Sequence, residues 1–98
     1  MARRVSLADE AAESLATIEQ WYRQPGAGQV ASRRLRAIRA AIGRLVDFPY
    51  IGRPGDVLGT RELTCQDHRI VYLVAAGDGT STGAGDIVVL DIFGPGEP

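Results

Sequence analysis

The sequence contains no lysine; all eleven basic side chains are arginine. Arginine keeps its charge and makes bidentate contacts, whereas a lysine of lowered pKa can serve as a general base, so lysine-based chemistry is excluded. Cysteine occurs once, at Cys65, which leaves no internal disulfide and suits a reducing, cytoplasmic setting. Histidine also occurs once, so any imidazole acid–base proposal falls on His68. No apolar run approaches the roughly 20 residues of a membrane-spanning helix. The basic start Arg3-Arg4 is followed by Ser6, Asp9, Glu10 and Glu13, where a signal peptide needs an apolar stretch. A basic excess is missing too. The net charge is -1, which argues against direct nucleic-acid binding by the chain alone. One histidine, one cysteine and scattered carboxylates show no ligand spacing, so neither a metal nor a cofactor is expected. The glycine-rich stretch from Gly77 to Gly85 lacks a Gly-Lys-Ser/Thr signature and leads into a strand pattern; it reads as a hairpin loop.

What is present is an ordinary mix of apolar and charged residues over 98 positions, the size of one domain spanning 1–98. A chain this long buries roughly 60–65% of its unfolded surface, enough for a single modest core. Val5 and Leu7 alternate with polar neighbours and predict a first strand within Arg3 to Leu7. The spacing Ser6-Leu7-Ala8-Asp9 fits a capping box with Asp9 in the usual place of Glu or Gln. Leu7, Ala11, Leu15, Ile18 and Tyr22 form a helical stripe that Gln24-Pro25-Gly26-Ala27-Gly28 interrupts. A second helix is predicted from about Gln29 to Asp47, burying Leu35, Ile38, Ile42 and Leu45 and ending before Pro49. The two helices should form an antiparallel hairpin.

Past Pro49 the period changes. Tyr50 to Gly59 reads as a loop. Thr60 to Cys65 alternates, with Leu63 and Cys65 opposite Glu62 and Thr64. Gln66-Asp67-His68 is a tight connection, and Arg69 to Ala75 is nearly all apolar, as in a central strand. A long flexible loop, Gly77 to Asp86, precedes a last strand from Ile87 to Phe93, and 94–98 form a flexible tail. The expectation is an α+β fold: an N-terminal strand, the helix hairpin, then a three-stranded antiparallel meander covered on one face by the helices.

Charges divide unevenly. The first helix carries Asp9, Glu10, Glu13 and Glu19; the second carries Arg33, Arg34, Arg36, Arg39 and Arg44. A solvated face whose arginines partly pair with the acidic helix is favoured over a nucleic-acid stripe. Arg53, Arg61 and Arg69 invite grouping as an anion or target contact, against the simpler alternative that each pairs with Asp56, Glu62 or Asp67. His68 fits an ordinary turn histidine, Cys65 a small core residue, and Trp21 either a partner anchor or a cap on the helix hairpin.

Four features in order resemble the RelE/ParE toxin superfamily, in its ParE-like branch, over nearly the whole chain. They are the stripe Leu15, Ile18, Trp21 and Tyr22; the stretch Ala41-Ile42-x-x-Leu45-x-x-Phe48-Pro49-x-Ile51-Gly52-Arg53-Pro54; Arg61-Glu62-Leu63; and Arg69-Ile70-Val71-Tyr72 followed by Ile87-Val88-Val89-Leu90. The second is the most specific. In it, Phe48 is expected to pack at the helix end, Pro49 to turn the chain, and Gly52 to permit a backbone angle that other residues resist.

The resemblance implies a type II toxin neutralised by a cognate antitoxin. The branch it points to poisons DNA gyrase without catalysis of its own; the RelE-like branch cuts messenger RNA on the ribosome. Cleavage by 2′-hydroxyl attack needs a base, an acid and cations. Phe93 stands where ribonucleolytic members carry a titratable residue, the tail adds only Glu97, and the family's frequent His-Gly-x-Arg ending is missing. The gyrase reading therefore leads, with no catalytic residues. Its expected target contacts are Arg53, Arg61, Arg69 and Phe93, with Trp21 and Tyr22 for the antitoxin. The ribonuclease alternative uses Arg53, Arg61, Arg69 and His68; a third possibility is a non-toxic module that keeps only antitoxin recognition.

Overall fold

The computed structural model describes residues 3–75 and 85–94. The strand β1 (Val5–Leu7) leads directly into the helix α1 (Asp9–Tyr22). The Ala8 amide donates to the Val89 carbonyl at 2.9 Å, which anchors that junction to the sheet. The expected capping box does not form. Ser6 lies in β1 opposite Val88, and the cap residue, Ala8, makes no side-chain bond. Sheet pairing has claimed the residue that the spacing assigned to the helix; Asp9 and Glu10 in the first turn still complement the helix dipole.

The helix α2 (Gly28–Arg44) follows a tight link in which Gly26 has φ +87°, a conformation costly for any residue with a Cβ. The helix ends earlier than its apolar pattern suggests. Leu45, Val46 and Asp47 bond to carbonyls three residues back, so the last turn tightens before Pro49. Leu35, Ile38, Ile42 and Leu45 are all buried, as their spacing requires. Pro49 is fully buried, but Phe48 and Ile51 are half exposed. The packing role expected of Phe48 therefore falls to the proline beside it.

The remaining strands are β2 (Arg53–Pro54), β3 (Thr60–Cys65), β4 (His68–Val74) and β5 (Ile87–Phe93). They form one sheet in the order β1-β5-β4-β3-β2. The three long strands make the expected antiparallel meander, and β1 joins it parallel to β5, so the sheet is mixed. β2 corrects the reading of 50–59 as loop throughout: Arg53 pairs with Glu62 and Pro54 with Arg61. Two residues are too few to show a period. Gln66 and Asp67 both have positive φ (52° and 62°), which makes them the two-residue turn between β3 and β4. His68 thus belongs to the strand, not the turn, and it is 3% exposed. Most of the loop after Ala75, and the tail beyond Gly94, fall outside the described residues.

Side chains from α1 (Ala11, Ile18), α2 (Leu35, Ile38), β4 (Ile70, Tyr72) and β5 (Ile87, Val89, Ile92) share one core. Ile70 and Tyr72 are two apart in β4 and so project to the same face, which places both helices on that side. A register shift at Val71/Tyr72 leaves Leu90 as an extra residue in β5. Beside it, the Asp91 carboxylate accepts bonds from the Ser14 hydroxyl (2.7 Å) and the Ile92 amide (2.8 Å), fastening α1 to the sheet.

Candidate functional site on the free face of the sheet

Alternation along β3 decides which side chains can meet. Arg61, Leu63 and Cys65 project toward the helices; Glu62 and Thr64 project away. Through the register, Glu62 lies between Arg53 and Val71, and Arg69 lies between Thr64 and Phe93. Arg53, Glu62, Arg69 and Phe93 therefore gather on the sheet face that the helices leave free. Arg69 Nε is 3.5 Å and Arg53 Nη2 3.9 Å from Glu62 Oε1, and the Asp56 amide donates to Oε2 at 3.4 Å. The Arg69 guanidinium sits over the Phe93 ring, 4.7 Å from its centre.

Glu62 is one of the pairing partners that the sequence offered, and both Arg53 and Arg69 pair with it. It is only 7% exposed, and neither its Oε1 nor Arg69 Nε makes a hydrogen bond despite their closeness. The contact is thus ionic rather than geometric. A buried carboxylate without a well-aligned donor is costly unless a cation neutralises it. Arg69 supplies that cation, while Arg53, whose side chain is 76% exposed, contributes little to stability. Two guanidiniums share one carboxylate, so the patch keeps a net positive charge and leaves terminal Arg N–H groups to donate outward. The sequence offered Glu62 as a pairing partner in an alternating strand, but alternation does not reveal its burial.

Arg61 is not part of this patch. It bonds the carbonyls of Gly52 (2.6 Å) and Tyr50 (3.3 Å) and lies over the Tyr50 ring at 4.9 Å. These contacts hold the turn after Pro49 against the sheet, so the proposed grouping of three arginines contains two. In the same turn, Tyr72 accepts a 2.8 Å bond from the Gly52 amide. A Cβ on Gly52 would fall 2.7 Å from that hydroxyl and 2.8 Å from the Glu62 carbonyl. Glycine is needed there for close approach; no left-handed backbone angle is involved. Burial pushes the Tyr72 phenol up, partly offset by the Gly52 bond and the Arg61 charge. Burial likewise raises the Cys65 thiol against the pull of Arg44.

The residues assigned to an antitoxin lie at the far end of α1. Trp21 is 65% exposed, so it does not cap the helix hairpin. Tyr22 is half-buried, its ring 5.9 Å from that of His68 in an edge-on arrangement. His68 Nδ1 lies 2.8 Å from the Gln66 carbonyl, which can only accept, so Nδ1 is the nitrogen that donates there. Trp21, Tyr22, Arg34 and His68 line a cleft of about 470 Å³ together with Thr17, Ile18 and Gly94. On α2 only Arg39 pairs across to the acidic helix, with Glu19; Arg33, Arg34, Arg36 and Arg44 have no carboxylate partner among the described residues. No group of three or more His, Cys, Asp and Glu assembles among those residues, and none of their helices is long and apolar enough to cross a membrane.

The profile of the ParE toxins of type II toxin-antitoxin parDE systems matches residues 5–94. Among solved structures, the chromosomal ParDE toxin-antitoxin system of P. aeruginosa is similar, with a TM-score of 0.73. That match is 20% identical and covers 96% of this chain and 97% of the other. At that identity the likeness speaks for the fold. No curated protein sequence matches.

Proposed function

The chain belongs to the ParE toxin family, and we propose that it arrests growth by inhibiting DNA gyrase and is silenced by a cognate antitoxin in the cytoplasm. The supporting observation is how the sheet divides the polar residues. Arg53, Arg69 and Phe93 meet at the free face, around Glu62. Arg61 and His68, which the ribonuclease alternative also needs, lie on the helix side, and His68 is 3% exposed. A general acid or base must reach the proton that it moves, directly or through one water. Separation across a sheet prevents that, whereas a non-catalytic binding patch needs only shape and charge.

In this reading the guanidiniums of Arg53 and Arg69 engage carbonyl or carboxylate groups of the target, and Phe93 supports Arg69 from below. Glu62 fixes where both guanidiniums stand. The antitoxin anchors at the cleft beside Trp21 and Tyr22, since an exposed tryptophan at a concave site is a frequent binding hot spot. The decisive experiment is a supercoiling assay with purified gyrase. Loss of supercoiling, or trapped DNA cleavage, is expected; unchanged supercoiling with no trapped cleavage at excess protein overturns the proposal. Induced expression without the antitoxin should also stop growth, and normal growth would mark the chain as a binding module alone.

A further inference from the structure

Two adjacent apolar side chains are left in water at the end of the β2–β3 hairpin: Leu58 is 100% exposed and Val57 69%. The loop that carries them is firmly held. The Gly55 amide donates to the Thr60 carbonyl at 2.8 Å, which extends the strand pairing past Pro54 and Arg61. The Val57 carbonyl accepts twice from Thr60, from its amide at 3.0 Å and from its hydroxyl at 2.6 Å. These bonds close a turn centred on Leu58 and Gly59, in which only Gly59 has positive φ (+88°), the type II pattern. A lone exposed leucine needs no explanation, but an apolar pair displayed on a clamped turn is a pre-set contact.

The turn is also tied to the charged patch. Glu62 projects to the face that the helices leave free, yet it is buried, because the start of the loop lies over it. A Cβ on Gly55 would fall 3.2 Å from Glu62 Oε2, and the Asp56 amide donates to the same oxygen at 3.4 Å. The other oxygen, Oε1, faces Arg69 and Arg53. One carboxylate thus fixes the apolar tip and the two guanidiniums relative to each other. The Trp21 cleft lies elsewhere. It includes His68, which pairs with Cys65, whereas Thr60 pairs with Leu73 at the opposite end of β3, roughly 17 Å along the strand.

We infer that Leu58, flanked by Val57, is the apolar anchor of target recognition: it enters a hydrophobic pocket of gyrase while Arg53 and Arg69 meet carbonyl or carboxylate groups at that pocket's rim. The inference rests on the gyrase reading and names the contact that holds the complex together. Stable interfaces combine an apolar anchor in a dry pocket with polar contacts around it. Exposed arginines by themselves give steering and orientation more than affinity. A turn that is already ordered loses little entropy on binding. A second copy of this chain is a poor occupant, since two tips meeting would bring their Arg53 and Arg69 groups together.

The test measures supercoiling by purified gyrase against increasing concentrations of the full chain. Leu58→Ser should raise the half-inhibiting concentration roughly tenfold or more, and Val57→Ser several-fold. Thermal midpoints and antitoxin affinity should stay at the parent's values, because both side chains are exposed and the Trp21 cleft is remote. Leu58→Met returns the apolar volume and should recover most of the inhibition. Val30→Ser, at a 57% exposed apolar site on α2, should inhibit as the parent does. Parent-like inhibition by Leu58→Ser overturns the anchor and leaves the gyrase reading intact. So does a Val30→Ser variant as weak as Leu58→Ser, or a Leu58→Met variant that recovers nothing. Antitoxin affinity falling alongside inhibition would show that the tip is not specific to the target, and the inference fails. A parent chain that never slows gyrase ends the gyrase reading and this inference together.

Discussion

The two faces of the sheet use the same residue types for opposite ends. Arg61 on the helix side donates to two backbone carbonyls, and Tyr72 next to it accepts the Gly52 amide; both are spent on holding the turn. Arg53 and Arg69 on the free side share one buried carboxylate and keep donors facing outward. An arginine satisfied by backbone carbonyls is committed to the fold, while one paired ionically at an open face can still exchange partners. Arg61 and Glu62, adjacent in β3, thus serve different faces because successive strand residues point opposite ways.

If that contrast is right, substitutions on the helix side should act on stability and those on the free side on recognition. The largest effect is expected from Tyr72→Ala, which empties a fully buried aromatic site and should cost about 3–5 kcal/mol in denaturant unfolding. Gly52→Ala should cost about 1–3 kcal/mol, because the new methyl meets a hydroxyl and a backbone carbonyl that have little room to move.

An alkaline titration sharpens the same side. The folded state raises the Tyr72 phenol, so its stabilising contribution is complete below the ordinary tyrosine value of about 10 and is lost as pH climbs through the raised folded value. Thermal midpoints should drop above that pH in the parent and drop less in Tyr72→Phe, compared with each protein's own neutral-pH value. Equal losses in both would remove Tyr72 as the cause.

Arg53→Ala is the free-face counterpart. Its unfolding free energy should change by less than about 0.5 kcal/mol, since the Arg53 side chain is exposed and Arg69 still neutralises Glu62, while gyrase inhibition falls. A variant that unfolds easily yet inhibits normally would reverse the contrast. Smallest for the fold is Trp21→Ala, expected within about 0.5 kcal/mol of the parent and visible only as weaker antitoxin binding by calorimetry.

By itself the sequence determined the helix stripes, the antiparallel meander and the turn after Pro49, because those depend on local period and on residues that restrict the backbone nearby. The family resemblance was legible there too, in the Phe48 to Pro54 stretch. Only tertiary structure decided that Ser6 pairs in β1, that Arg53–Pro54 forms a strand, that Glu62 is buried and that Arg61 turns away from Arg53 and Arg69. Each of these depends on which residue stands opposite in a neighbouring strand. Register is set by pairing between distant segments, and neither propensity nor spacing within one segment carries it.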